Sequence, residues 1–139
     1  MKLLCFLAKR FAWASHDKIL AWGDEEALSG EVTSCVVAFV QVEPGDHIGP
    51  DEQEECCRRA VRHLRWLAGK KDLHIWVIHS FAHLGGEPAD PEKSRDVLRE
   101  LKRRLEGPGR EVLNTPFGHS CSWEISVFGE GVAKTYKEL

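Results

Sequence analysis

The run Ser34-Cys35-Val36-Val37-Ala38-Phe39-Val40-Gln41-Val42-Glu43 is apolar on both of its alternating faces. A strand carries two apolar faces only where both are buried, so this run predicts a central strand of a sheet, ending at the turn signal Pro44-Gly45. A second apolar run, Leu73-His74-Ile75-Trp76-Val77-Ile78, predicts another buried strand and leads into Ser80-Phe81-Ala82-His83-Leu84. Downstream stands the rigid turn Thr115-Pro116-Phe117-Gly118. A buried strand that ends beside a small residue and a histidine, faced by a Pro/Gly turn, can frame a pocket.

Helical signals separate these runs. Gly49-Pro50-Asp51 starts a helix with Pro50 at its first position, and Cys57, Val61, Leu64 and Ala68 recur at helical steps before Gly69 closes it. Its outer face offers Glu54–Arg58 and Glu55–Arg59 pairs, and Arg62 and Arg65 continue the charge, as a solvated face or as an RNA contact. Asp90-Pro91-Glu92 caps a second helix with the core stripe Val97, Leu98, Leu101 and Leu105, ended by Gly107-Pro108-Gly109. Lys2 to Ala8 reads as a first strand, Phe11 to Trp22 is ambiguous, and Ser122 to Phe128 alternates like a strand with one wet face. Val132 to Tyr136 adds a short last strand. With no repeat and no low-complexity linker, residues 1–139 read as one α/β domain, a mixed sheet with two main helices. A chain of 139 residues can bury a real core without staples.

Several function classes lose support. A net charge of −3 gives no overall field for nucleic acid, so any RNA contact must be local. No stretch approaches the roughly 20 apolar residues of a membrane span. Five cysteines, two of them adjacent, read as reduced thiols of a cytosolic protein rather than a disulfide frame. His79 and His83 have the spacing of a helical metal pair, but one lies at a strand end and the other beyond it, so no metal and no cofactor is expected. Cys121 reads as a small buried filler or as the thiol partner of His83. Neither a Gly-x-Ser-x-Gly elbow nor a Walker loop is present, and no ATP-binding core is visible, so the chain is not expected to activate amino acids by itself.

From about Leu73 to Thr135, the order and spacing of Phe81-Ala82-His83-Leu84, Asp90-Pro91, Thr115-Pro116-Phe117-Gly118 and Trp123-Glu124-Ile125-Ser126 resemble the editing domain at the N-terminus of archaeal-type threonyl-tRNA synthetases. Val37 to Glu43 resembles the same family's central strand, whereas Phe11 to Thr33 matches poorly. The resemblance implies a fold shared with D-aminoacyl-tRNA deacylases, usually a cytoplasmic homodimer, that removes L-serine wrongly esterified to threonine tRNA. The partner is the aminoacylated end of that tRNA, with a synthetase catalytic subunit or domain alongside. It also implies recognition largely by main-chain groups, with a hydroxyl of the terminal ribose assisting the attacking water.

Carried over residue by residue, Val42, Phe81, Ala82, Phe117, Gly118 and Ser120 become the substrate-binding positions. His83 becomes the catalytic-site group, orienting ribose or water, or else a histidine that caps the strand end. The chain departs from the family where aromatic residues and a lysine follow the turn, since it reads His119-Ser120-Cys121, and where an acid is usual it has Lys134. Lys134 is therefore expected either to return an ammonium to the pocket or to be a surface lysine. Two other readings stay open: a D-aminoacyl-tRNA deacylase, which lacks a convincing Gly-Pro signature here, and a non-catalytic module that docks tRNA or a synthetase through its arginine-rich helix faces.

Overall fold

The computed structural model describes residues 1–139. Six strands and two helices follow one another as β1 (Lys2–Lys18), β2 (Ser29–Gln41), α1 (Pro50–Gly69), β3 (Ile75–Ser80), α2 (Pro91–Leu105), β4 (Glu111–Asn114), β5 (His119–Val127) and β6 (Lys134–Glu138). The sheet order is β4-β3-β2-β1-β5, with β6 also paired to β1. Strands β2, β3 and β4 run parallel, joined through the two helices, while β1 pairs antiparallel with β2, β5 and β6. This is the single α/β domain with a mixed sheet and two helices that the alternation of signals predicts.

Both helices cover one face. The stripe Cys57, Val61, Leu64 and Ala68 of α1 and the stripe Val97, Leu98, Leu101 and Leu105 of α2 are buried in one 26-residue core with Leu3, Leu7, Val36, Ala38, Trp76 and Ile78 of the sheet. Asp90 caps α2 by accepting from the Glu92 and Lys93 N–H groups, which satisfies donors that a helix start leaves free. On the outer face of α1, Arg58 pairs with Glu55 at 2.6 Å, one residue closer than the expected partner Glu54. Both spacings put the groups on one face, and solvent screening leaves an exposed pair of this kind little weight in stability.

The opposite face owes its shape to the β1–β2 hairpin, which is longer than its sequence signals: the ambiguous Phe11–Trp22 segment continues β1 as far as Lys18. The ladder skips Lys9 and Ser34 between the Ala8–Cys35 and Arg10–Thr33 pairs, and Ser34 has φ 52°. The β1–β5 register shifts at the same place. Irregularities of this kind bend a strand and increase its twist. The distal half of the hairpin, with β5 on its edge, therefore curls back over the sheet. Inside the curl Ala8, Phe11, Trp13, Cys35, Val37, Phe39 and Val77 form a second core.

Strand β5 shows why the expectation of one wet face needs correction. Trp123 and Ile125 sit opposite Trp13 and Phe11 and so face the interior of the curl, yet they remain 41% and 39% exposed. An edge strand has a neighbour on one side only, and its apolar row is left half open.

Candidate active site

A cavity of about 790 Å³ opens where the curled hairpin passes over the C-terminal ends of β2 and β3. Its walls include Val42, Phe81, Ala82, His83, Phe117, Gly118, Ser120 and Cys121. Segments separated by most of the chain thus meet around one space.

The first wall grows out of β2 and β3. Val42 follows the last residue of β2, is 3% exposed, and accepts from the Ala89 N–H through its carbonyl. Phe81 continues the ladder by donating its N–H to the Val40 carbonyl. Beyond it the chain leaves the sheet, so Ala82 and His83 are exposed at the cavity mouth. Gln41 steadies this exit, accepting from the Leu84 N–H at 2.6 Å and donating to the Gly85 carbonyl at 2.8 Å.

The second wall is the Pro116-Phe117-Gly118 turn, and the hairpin tip holds it. Asp24 accepts from the Phe117 N–H at 2.8 Å, while its own N–H donates to the Phe117 carbonyl at 2.9 Å. Ile19 and Leu20 both donate to the Gly118 carbonyl. Trp22 stacks on Phe117 with centroids 5.8 Å apart, and the Arg95 guanidinium lies over the outer face of Trp22 at 4.4 Å. Gly118 has φ 78°, and a Cβ there would lie 3.0 Å from both Gly23 Cα and Leu20 Cβ, so only glycine allows this approach. His119 extends the clasp through Ser15 Oγ on Nδ1 at 2.7 Å and the Asp24 carbonyl on Nε2 at 2.8 Å.

The segment that fits the resemblance least is therefore the one that positions the turn. Its sequence does carry a local signal, the Trp22-Gly23-Asp24 turn, but no one-dimensional pattern says which distant turn it grips.

Main-chain groups are available at the walls. The N–H groups of Val42, Ala82, His83 and Gly118 have no partner within the protein. Donors left without a protein partner at an open cavity bond to water, and a carbonyl or developing oxyanion can take the water's place.

Cys121 also lines the cavity, half-buried, and burial pushes its thiol pKa up. A raised pKa favours the protonated thiol over the thiolate that a nucleophile needs. No hydrogen bond joins it to His83, so the thiol–histidine dyad is not assembled. Lys134 stands elsewhere. It pairs with Phe6 on β1, nine positions along that strand from Ser15, the partner of Cys121. Its amine donates to the Phe128 carbonyl at 3.3 Å and the residue is exposed, so the expected ammonium is not delivered to the cavity. The reason is register: β5 occupies the distal half of the β1 edge and β6 the proximal half.

His79 also lines the cavity, outside the substrate-binding positions that the resemblance implies. A spacing of four marks one face of a helix, yet positions i, i+2 and i+4 also share a face of extended chain. His79, Phe81 and His83 do so: both imidazoles flank the Phe81 ring, at 6.1 and 5.6 Å, and all three line the cavity. His79 is 5% exposed and meets Thr115 Oγ1 through Nδ1 at 2.7 Å. Burial pushes its pKa down to about 4, so the ring is neutral near pH 7. No three His, Cys, Asp or Glu side chains come together as a metal site would require.

Residues 1–139 match the family model described as the archaea-specific editing domain of threonyl-tRNA synthetase. Similar relatives include the threonine–tRNA ligases of Pyrobaculum calidifontis, 32% identical over 96% of this chain and 21% of the relative, and of Cenarchaeum symbiosum, 32% identical over 100% and 21%. The ligase of Pyrobaculum islandicum is 34% identical over 96% of this chain and 21% of its own length. The chain thus spans about a fifth of the length of these relatives. A solved structure described as c-Myc DNA Unwinding Element Binding Protein matches with a TM-score of 0.65 at 12% identity, covering 100% of this chain and 99% of that one, a likeness of fold alone. With its whole length matched by one family model, the chain belongs to the archaea-specific editing domain family of threonyl-tRNA synthetase.

Proposed function

We propose that the chain proofreads threonine tRNA by hydrolysing the ester that joins L-serine to its terminal ribose. The observation that carries this reading is the cavity in which Ala82 and His83 at the end of β3 face Phe117 and Gly118 across unpartnered main-chain N–H groups. The need for such an activity is physical. Serine differs from threonine by one methyl group, which a synthetic site can discriminate by only about 1–3 kcal/mol, so a second site must remove the errors.

In the proposed reaction a water attacks the ester carbonyl carbon, and negative charge develops on the carbonyl oxygen. The N–H groups of Ala82, His83 and Gly118 are the donors suited to hold that oxygen. The ribose hydroxyl next to the ester orients the water and helps take its proton, while His83 at the mouth aligns that hydroxyl. The carbon–oxygen bond to ribose then breaks, releasing serine and a restored ribose hydroxyl. Phe81 and Phe117 bound the space for the amino-acid side chain, with Val42 behind them and Ser120 at the rim. A protonated Cys121 and a remote Lys134 are consistent with a mechanism that borrows its activating group from the substrate. No cofactor enters this scheme.

The working form of this reading is a cytoplasmic homodimer that serves a threonyl-tRNA synthetase catalytic unit. The homodimer is part of this reading, and light scattering giving the mass of one chain would oppose it. Activity is tested by incubating the protein with threonine tRNA bearing L-serine, L-threonine or a D-amino acid. Selective loss of L-serine is expected; loss of the D-form would mark a chiral deacylase, and saturable tRNA binding without hydrolysis a docking module. Removing the ribose hydroxyl next to the ester is expected to slow hydrolysis at least about 100-fold, in the range of general acid–base assistance. A rate unchanged by that deletion would exclude the assisted mechanism.

A further inference from the structure

Several polar side chains at the cavity are already used by the fold, while Ser80, His83 and Glu87 are unpaired but not buried. Both His119 nitrogens are engaged by Ser15 and Asp24, and both ends of the Gln41 amide by Leu84 and Gly85. Ser94 donates to the Ala89 carbonyl, and Asp90 caps α2. Ser120 Oγ accepts from the Asp17 N–H. His79 is different. Its Nδ1 is tied to Thr115, whereas its Nε2 has no protein partner and is not among the sealed, unpaired polar atoms.

The setting makes that free nitrogen informative. Phe39, Phe81 and Trp123 surround the imidazole, with centroids at 5.1, 6.1 and 5.2 Å. An apolar side chain would fill such a niche at no polar cost, whereas an imidazole there keeps Nε2 in contact with the cavity's water until a bound group that displaces the water takes its place as partner. The Thr115 hydroxyl fixes the ring, and burial keeps it neutral. What results is an uncharged hydrogen-bonding group with one open end, held in a fixed direction.

Depth decides what that end can meet. Ala82 and His83 are exposed at the mouth, whereas His79 is 5% exposed at the floor. An ester held by main-chain donors at the mouth leaves the amino-acid side chain as the part that points inward. We infer that His79, fixed by Thr115, is a specificity-determining residue whose Nε2 hydrogen-bonds the hydroxyl of the bound aminoacyl side chain. This rests on the editing function proposed above. A hydroxyl both donates and accepts, so it satisfies either tautomer of the ring. Alanine, with a methyl group at that point, leaves Nε2 unpaired. Threonine keeps the hydroxyl and is distinguished by the volume that its methyl group needs among Phe81 and Trp123, not by His79.

The test compares kcat/KM for threonine tRNA carrying serine, alanine or threonine, using the wild-type protein and the variants His79→Phe, His79→Gln and Thr115→Val. Wild-type protein is expected to favour serine over alanine by about 10- to 200-fold, the range of one hydrogen bond to a buried polar group. His79→Phe brings that ratio close to one while preserving the rejection of threonine; His79→Gln restores part of it; Thr115→Val lowers it to an intermediate value. A merely structural role would lower all three rates together and leave the ratios in place. A wild-type serine-to-alanine ratio near one overturns the inference, as does a full ratio in folded His79→Phe. Should His79→Phe not fold, the wild-type ratio and Thr115→Val decide, and an undiminished ratio in Thr115→Val counts against the inference. Hydrolysis of no serine ester by wild-type protein sinks the editing function itself, and the inference falls with it, whereas selective serine hydrolysis with unchanged variant ratios sinks the inference alone.

Discussion

The two faces of the sheet solve different problems. Under the helices, Leu64, Leu67, Val97, Leu101 and Leu105 are almost fully buried in a continuous aliphatic core. Inside the curl, seven buried residues are supplemented by partly exposed rings, and a histidine stands among them. One face is sealed and carries no polar side chain that the reaction would use. The other stays open along β5 and keeps a polar group at its floor. The contrast teaches that packing deep under the helices and the open curl can be perturbed separately, with Val42, Ala89 and Phe117 as the places where the helix-side core reaches the cavity wall, so substitutions far from those three should split cleanly.

The largest test of that split is Leu101→Ala. Leu101 is fully buried between α2 and the sheet, and the change removes its packing and leaves a cavity, at about 2–5 kcal/mol of unfolding free energy. Urea denaturation measures the loss. Serine-to-threonine selectivity of the fraction that stays folded is expected to equal that of the wild type, and altered selectivity would break the separation.

The curled face has its own stability signature, set by pH. His79 titrates at about 4 when folded, against 6.5 for a free side chain, so between these values the unfolded chain binds the extra proton. His79 therefore costs nothing above pH 6.5, and stability is lost as pH falls from about 6.5 toward 4, by an amount on the order of 3 kcal/mol. Chemical denaturation at stepped pH should show this slope in the wild type and a flatter one in His79→Phe. Carboxylates held low by cations, such as Glu43 beside Lys2 and the terminal ammonium, add their own loss at the acid end of the range. Equal slopes in the two proteins would mean that the ring is not sequestered in the curl.

Gly118→Ala probes the seam between hairpin tip and turn. It forces a side chain into a backbone conformation of φ 78° and against Gly23 and Leu20, with a strain of about 1–3 kcal/mol. The turn has only to shift by a few tenths of an ångström to relieve the contact, so a modest stability loss is expected beside a fall in deacylation of at least about tenfold. A wild-type rate in this variant would show that the second wall does not have to be where the clasp holds it.

Legibility followed the same divide. The helix-covered face could be read in the chain because its determinants are local: the stripes Cys57-Val61-Leu64-Ala68 and Val97-Leu98-Leu101-Leu105 recur at the helical period and are all buried. The wall residues Ala82, His83, Phe117 and Gly118 were legible through resemblance, and the chain folds them to one cavity. The curl was not. Its cause is a break in pairing at Lys9 and Ser34, which has no compositional mark, and its consequence is a clasp between Asp24 and Phe117 across 93 positions. His79 is hard to place from sequence because a four-residue spacing signals a shared helical face, whereas here period two carries His79, Phe81 and His83 to one cavity.

Lys134→Met carries the smallest expected effect and tests where the boundary of the site lies. Sequence alone allowed this lysine to replace an ammonium missing from position 121, since a strand on the neighbouring edge can deliver a side chain across a short gap. Register decides otherwise: Lys134 pairs with Phe6 while Cys121 pairs with Ser15, so the two residues occupy opposite halves of the same β1 edge. Its amine is spent on the exposed Phe128 carbonyl, an interaction worth a few tenths of a kcal/mol to about 1 in water. Serine-ester hydrolysis by Lys134→Met is expected to stay within about twofold of wild type, with unfolding free energy changed by less than about 0.5 kcal/mol, as for most surface substitutions. A tenfold loss of rate at unchanged stability would mean that this amine reaches the substrate after all. The edge of β1 would then have to be counted as part of the site rather than as its scaffold.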